Sequence, residues 1–78
     1  MSEAKAGDIR YYHESGSIFQ VEVLDVREKN YGKSRGLEYE LKVMEIIEDN
    51  GRTPPQKGQV FSVWKNRASE GYAGWSLQ

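Results

Sequence analysis

Apolar and polar residues alternate with a period of two along most of the chain, which is the pattern of half-buried β-strands. The clearest run is 37–43, in which every odd position is apolar and every even position is charged. A second run, 18–27, alternates as far as Val23 and then changes phase, so that Leu24 and Val26 are the apolar positions. A change of phase within one strand predicts a β-bulge or a sharp bend.

The whole pattern predicts five strands separated by residues typical of turns and loops. The predicted strands are 9–12, 18–27, 37–47, 59–65 and 72–77, and the connections are 14–16, 28–36, 48–58 and 66–71. The loop 48–58 contains Asn50-Gly51 and Pro54-Pro55, both of which favour turns. Residues 1–7 are predicted to be a flexible tail, which leaves residues 8–78 as a single domain.

A helical alternative applies only to residues 37–48, where Leu37, Leu41, Met44 and Ile47 would share one helical face. We favour the strand because the alternation over 37–43 is strict. The preceding residue is a glycine, which is a weak start for a helix. The neighbouring strands also need a partner with which to pair.

Five short strands without a long helix predict an all-β fold, a small five-stranded barrel. The near-continuous meander favours an SH3-like barrel, and an OB-fold is the alternative. An OB-fold places a helix between its third and fourth strands, where this chain has the Pro-Pro loop. The predicted core consists of Ile9, Phe19, Val21, Val23, Leu37, Tyr39, Leu41, Val43, Phe61 and Val63.

The composition excludes several kinds of chemistry. Among 78 residues there is no cysteine and one histidine, His13, so disulfides, cysteine zinc sites and a cysteine nucleophile are excluded. His13 lies beside a predicted turn rather than in a catalytic arrangement. Gly32-Lys33-Ser34 has the ending of a phosphate-binding loop, but Arg27 stands where that motif needs glycine. We therefore expect a protein that is not an enzyme and has no metal or cofactor.

The apolar runs also bear on location. None approaches the roughly 20 residues that a membrane span needs. Residues 1–7 are polar and lack the apolar segment of a signal peptide. We therefore expect a cytoplasmic protein without membrane association.

Charge is unevenly distributed along the chain, although the net charge is only −1. Residues 27–35 carry four basic residues and one acidic residue, whereas residues 36–51 carry five acidic residues and one basic residue. In a meander alternate loops lie at the same end of the sheet, so loop 28–36 and connection 66–71 should be neighbours. The candidate binding residues at that end are Lys29, Tyr31, Lys33, Arg35, Trp64, Lys65, Arg67 and Tyr72.

Basic side chains interleaved with aromatic rings are typical of single-stranded nucleic acid binding, in which cations follow the phosphates and rings stack on bases. Single-stranded DNA or RNA is therefore one expected partner. The alternative is an SH3-like protein-interaction or accessory domain, in which an aromatic groove docks an extended segment. Tyr12, Trp64 and Tyr72 would line that groove.

One short run has a counterpart in a known family. Gly36-Leu37-Glu38-Tyr39-Glu40-Leu41 resembles the Gly-x-x-Tyr-x-Leu strand entry of the small OB-type single-stranded-DNA-binding proteins of filamentous phages. The resemblance covers six residues and assigns a role to none of them.

Overall fold

The computed structural model describes residues 4–49, 56–66 and 74–78 of the chain, and these form one antiparallel sheet of five strands. The strands are β1 (Ile9–Glu14), β2 (Ser17–Glu28), β3 (Gly36–Glu48), β4 (Val60–Asn66) and β5 (Ser76–Leu77). Their order in the sheet is β4-β3-β2-β1-β5, a meander whose last strand returns to pair with β1. The predicted all-β fold is confirmed.

The sheet curls into a half-barrel, because side chains on strands that do not pair with each other come into contact. Tyr12 on β1 meets Phe61 on β4 edge-to-face, with the ring centroids 5.2 Å apart. Trp75, just before β5, stacks on Tyr12 and packs edge-to-face on Tyr39 of β3. This architecture is consistent with a small barrel of the SH3-like or OB-like type. We call the face inside the curl the concave face, and the opposite one the outer face.

Most predicted strand boundaries differ from the observed ones by one or two residues. Residues 36–48 form a strand, so the helical alternative is wrong. β5 is much shorter than the predicted strand 72–77: Gly74 has φ +87°, which interrupts the extended backbone. Residues 72 and 73 lie outside the described residues.

The predicted change of phase in β2 is confirmed. The pairing of β2 with β3 shifts register between Val23 and Asp25. Val23 and Val26 can therefore both face the core, although an unbroken strand would point them to opposite faces. The bulge lets one long hairpin bend around the core.

The core lies on the concave face and agrees with the prediction at most positions. The buried residues are Ala4, Tyr12, Phe19, Val21, Val23, Leu37, Tyr39, Leu41 and Val43. Partly buried Val26, Phe61, Val63, Trp75 and Leu77 pack against them.

Strand β1 faces the opposite way from the prediction. The sequence analysis places Ile9 in the core and Tyr12 off it, and both placements are wrong. Ile9 is 52% exposed and Tyr12 only 2%. Tyr12 is drawn inward because Phe19, Phe61 and Trp75 surround its ring.

The residues before β1 pack against the sheet. Ala4 is buried, and the Gly7 amide donates a hydrogen bond of 2.7 Å to the Val23 carbonyl. Asp8 accepts hydrogen bonds from the Lys5 backbone amide and the Arg10 guanidinium, which lower the pKa of its carboxyl group. Residues 4–7, which the sequence analysis assigns to the tail, thus have defined contacts. Residues 1–3 lie outside the described residues.

Across the three described ranges, no helix has the length and apolarity that crossing a membrane requires.

Candidate functional site

The loop between β2 and β3 is a small, hydrogen-bonded hairpin. The Lys29 amide donates to the Gly36 carbonyl at 3.0 Å, which closes the base of the loop. Tyr31 and Ser34 exchange two backbone hydrogen bonds of 2.9 Å around a tight turn. Gly32 lies in that turn with φ +59°, a conformation that glycine adopts without steric cost. The backbone of Tyr31 is therefore fixed by its own loop.

Trp64 of β4 joins this loop from the neighbouring strand. Its indole Nε1–H donates to the Lys29 carbonyl at 2.8 Å. Its ring meets Tyr31 edge-to-face, with centroids 5.2 Å apart and an interplanar angle of 81°. Trp64 is half-buried and lies outside the core cluster, whereas Tyr31 is 53% exposed. We call Tyr31 and Trp64 the aromatic pair.

Lys29 borders the aromatic pair and is held by an acidic residue. Its Nζ lies 5.7 Å from the centroid of the Tyr31 ring, within range of a cation–π interaction. The same Nζ is 3.3 Å from a Glu38 oxygen. The hydrogen bond to Glu38 raises the pKa of Lys29, so the ammonium stays charged.

Glu38 also binds Arg27, and this removes positive charge from the candidate site. The Arg27 Nε lies 3.2 Å from Glu38, and its terminal nitrogen lies 3.4 Å from Glu40. The Glu38 side chain is only 15% exposed between the two cations. Two of the four basic residues in 27–35 are therefore paired with carboxylates on the outer face.

Three other cations of the candidate site differ from Lys29 and Arg27. Lys33, Arg35 and Lys65 are exposed, and none of them forms an ion pair with any residue in the described ranges. Lys33 and Arg35 lie in the same loop as Tyr31. Lys65 follows Trp64 in β4, so its side chain leaves the strand on the opposite face.

The predicted neighbourhood of loop 28–36 and connection 66–71 can be followed only at its first residue. Asn66 pairs with Gly36 at the end of β4, beside the loop. Arg67 and Tyr72 lie outside the described residues. Of the eight candidates, direct contacts unite Lys29, Tyr31 and Trp64, while Lys33, Arg35 and Lys65 lie next to them in the chain.

Sequence reasoning missed two residues of this site, Glu38 and Gly36. The alternation over 37–43 places Glu38 on the outer face, where it lies, but does not show its pairing with Lys29 and Arg27. Gly36 lies under the Trp64 indole: a Cβ built on it would overlap the Cε2, Cζ2 and Nε1 atoms of that ring. The parity of the strands could have suggested the pairing of Glu38 with Arg27. Nothing in the local sequence marks the contact between Gly36 and Trp64.

A separate feature lies at the other end of the sheet. It is an open pocket of about 220 Å³ beside the β1–β2 turn, lined in part by His13, Glu14, Glu48 and Trp75. The turn itself has positive φ at both Ser15 and Gly16, as a type I′ hairpin requires. The pocket shares no residue with the aromatic pair.

Comparison of the chain with protein family models, with curated proteins and with solved structures finds no match. The function proposed below therefore depends on the geometry of the site.

Proposed function

We propose that this domain is a binding module for single-stranded nucleic acid and that the β2–β3 loop carries the site. The observation that supports the proposal most is the exposed Tyr31 ring, which is held against Trp64 beside Lys33 and Arg35. A base stacked on such a ring contributes about 1–3 kcal/mol, and the cations contact the phosphates. The proposed role is non-catalytic and cytoplasmic.

The size of the positive patch predicts modest affinity. Lys29 and Arg27 are paired with Glu38, and Lys65 leaves β4 on the face opposite Trp64, so among the described residues Lys33 and Arg35 remain for phosphates beside Tyr31. Each neutralised phosphate of a single strand adds about 0.7 to the slope of log affinity against log salt concentration. A slope of about 1.4 is therefore expected for two phosphates, well below that of a strongly basic domain.

The proposal is tested by an NMR titration of the ¹⁵N-labelled chain with a short single-stranded oligonucleotide, at about 50 and 200 mM salt. Amide shifts should be concentrated at Tyr31, Lys33, Arg35, Trp64 and Lys65, and they should weaken at the higher salt. A spectrum that does not change at either salt concentration would overturn the proposal.

Two matched pairs of variants separate stacking from charge. Tyr31→Ala should weaken binding by about 1–3 kcal/mol, whereas Tyr11→Ala removes a ring that is 46% exposed on β1 and should leave affinity unchanged. Lys33→Ala should lower both the affinity and the salt slope. Lys42→Ala removes an exposed lysine in the middle of β3 and should change neither. Equal effects within either pair would contradict the assignment of this loop.

A second candidate function is the docking of an extended protein segment, and the position of β4 favours it. β4 is the first strand in the sheet order and pairs with β3 alone among the described strands. An exposed strand edge can accept a further strand. Tyr12 does not line the predicted groove, because its ring is buried. Salt-independent shifts along Val60–Asn66 on addition of an extended peptide would favour this role over nucleic-acid binding.

A further inference from the structure

Glycine is required at position 36 because of Trp64 and not because of the backbone conformation there. Its φ lies outside the positive region occupied by the glycines at the turns, so any residue could adopt this conformation. A Cβ at this position would nevertheless overlap three atoms of the Trp64 indole. Carbon atoms in favourable contact lie about 3.5–4.0 Å apart. The indole therefore lies directly on the backbone of Gly36, and a side chain there would force it to move.

The displaced indole could not keep its other contacts. Its Nε1–H is bound to the Lys29 carbonyl, and its ring supports Tyr31. The Lys29 amide in turn donates to the Gly36 carbonyl, and the Gly36 amide donates to Asn30 Oδ1 at 3.4 Å. The backbone of Gly36 thus closes the base of the loop, and the absence of a side chain leaves the space that the Trp64 indole occupies.

We propose that Gly36 and Trp64 are positioning residues for Tyr31, and that Tyr31 is the ring of the aromatic pair that stacks on a nucleobase. This inference rests on the proposed nucleic-acid function. Gly36 covers one face of the Trp64 indole, and the Tyr31 ring packs against the indole edge-to-face. Of these two rings, Tyr31 is the more exposed. The loop consequently presents one stacking surface, and one base of the strand occupies it.

The first test is Gly36→Ala. The added methyl should displace the indole, shift the Trp64 Nε1–H and Tyr31 ring resonances, and weaken oligonucleotide binding about 5- to 150-fold, as loss of one stacked base would. In a Trp64→Ala background the same methyl has nothing to displace. The double variant should therefore bind as Trp64→Ala does. Additive losses in the two variants would contradict the inference.

Trp64→Ala is the second test and covers the case in which Gly36→Ala fails to fold. Because Trp64 is outside the core cluster, we expect this variant to stay folded, as checked by circular dichroism. Its affinity should fall although Tyr31 is still present. In the wild-type complex, intermolecular NOEs from base protons should reach the Tyr31 ring. NOEs to the indole in their place, or wild-type affinity in Trp64→Ala, would overturn the positioning role.

The two proposals can fail separately. If no oligonucleotide binds the wild-type chain, the proposed function fails, and the ring resonances of Gly36→Ala still report whether Gly36 positions the pair. If the oligonucleotide binds and Gly36→Ala leaves those resonances and the affinity unchanged, the function stands and the positioning role is wrong.

Discussion

Leu41 lies in the middle of β3, between Val23 on β2 and Phe61 on β4, and is fully buried. Leu41→Ala should leave a cavity and lower the free energy of unfolding by about 2–5 kcal/mol. Small domains are stable by only about 5–15 kcal/mol, so the urea midpoint should fall strongly. Lys42→Ala, at the next position but exposed on the outer face, should change stability by about 0.5 kcal/mol or less. Equal urea midpoints for the two variants would show that residue 41 is not in the core.

Asp8 makes the free energy of unfolding depend on pH in the acidic range. The Lys5 amide and then Arg10 hold its pKa below the ordinary value of 3.8. A carboxyl group whose pKa is lower in the folded state stabilises the fold above its unfolded pKa, and the contribution is lost as pH falls through the folded pKa. Asp8→Asn should therefore lower the urea midpoint at pH 7 and have a smaller effect at pH 2. The same difference at both pH values would argue against an ionised Asp8.

β1 shows where periodicity fails at the level of single residues. In Ile9-Arg10-Tyr11-Tyr12 both faces of the strand contain an apolar residue, so alternation alone gives two apolar residues on one face and one on the other. The fold buries the face on which Tyr12 is the one apolar residue, because Tyr12 meets three aromatic rings from elsewhere in the chain. Arg10 lies on the same face of β1 as Tyr12, and its guanidinium binds Asp8. That choice depends on tertiary packing, which a local pattern does not contain.

At the scale of elements, pairing between β2 and β3 limits the charge of the site. Glu38→Gln would release Lys29 from its carboxylate partner, whereas Arg27 would keep its ion pairs with Glu40 and Asp25. If the proposed function holds, oligonucleotide affinity should rise, and the salt slope should become steeper because more cations are available to phosphates. Fluorescence anisotropy at several salt concentrations measures both quantities.

Glu45→Gln is the matched control for that prediction. It changes the net charge by the same amount, but Glu45 pairs with Lys57, away from the β2–β3 loop. Its affinity for the oligonucleotide should rise much less. If the two variants gain equally, net charge and not the local pairing of Lys29 with Glu38 controls binding.

The strands could be predicted from the sequence much better than the candidate site. Alternation in 37–43 and the change of phase after Val23 are local, so they predict β3 and the bulge in β2 without knowledge of the fold. The contact of Trp64 with Gly36 depends on the register between two strands that are distant in the chain. The alternation and the order of the loops predict that Tyr31 and Trp64 lie at the same end of the sheet. They cannot show which ring supports the other.

At the scale of the whole molecule, Trp75 joins parts of the half-barrel that backbone pairing leaves apart. Its Nε1–H donates to the Trp64 carbonyl of β4 at 3.3 Å, while its ring packs on Tyr12 of β1 and Tyr39 of β3. β4 and β5 are the two edges of the sheet, so this side chain connects one edge strand to the segment that leads into the other. We therefore expect Trp75 to stabilise the curl of the sheet.

Trp75→Ala should lower the free energy of unfolding by about 3 kcal/mol, the low end for a large aromatic residue, because the ring is only partly buried. Trp75→Phe keeps a ring in place and loses the hydrogen bond to Trp64, so about 1 kcal/mol is expected. Hydrogen exchange should accelerate at the β1 and β4 amides in Trp75→Ala more than in Trp75→Phe. Protection that is unchanged in both variants would mean that the curl is maintained without Trp75, by the bulged β2–β3 hairpin alone.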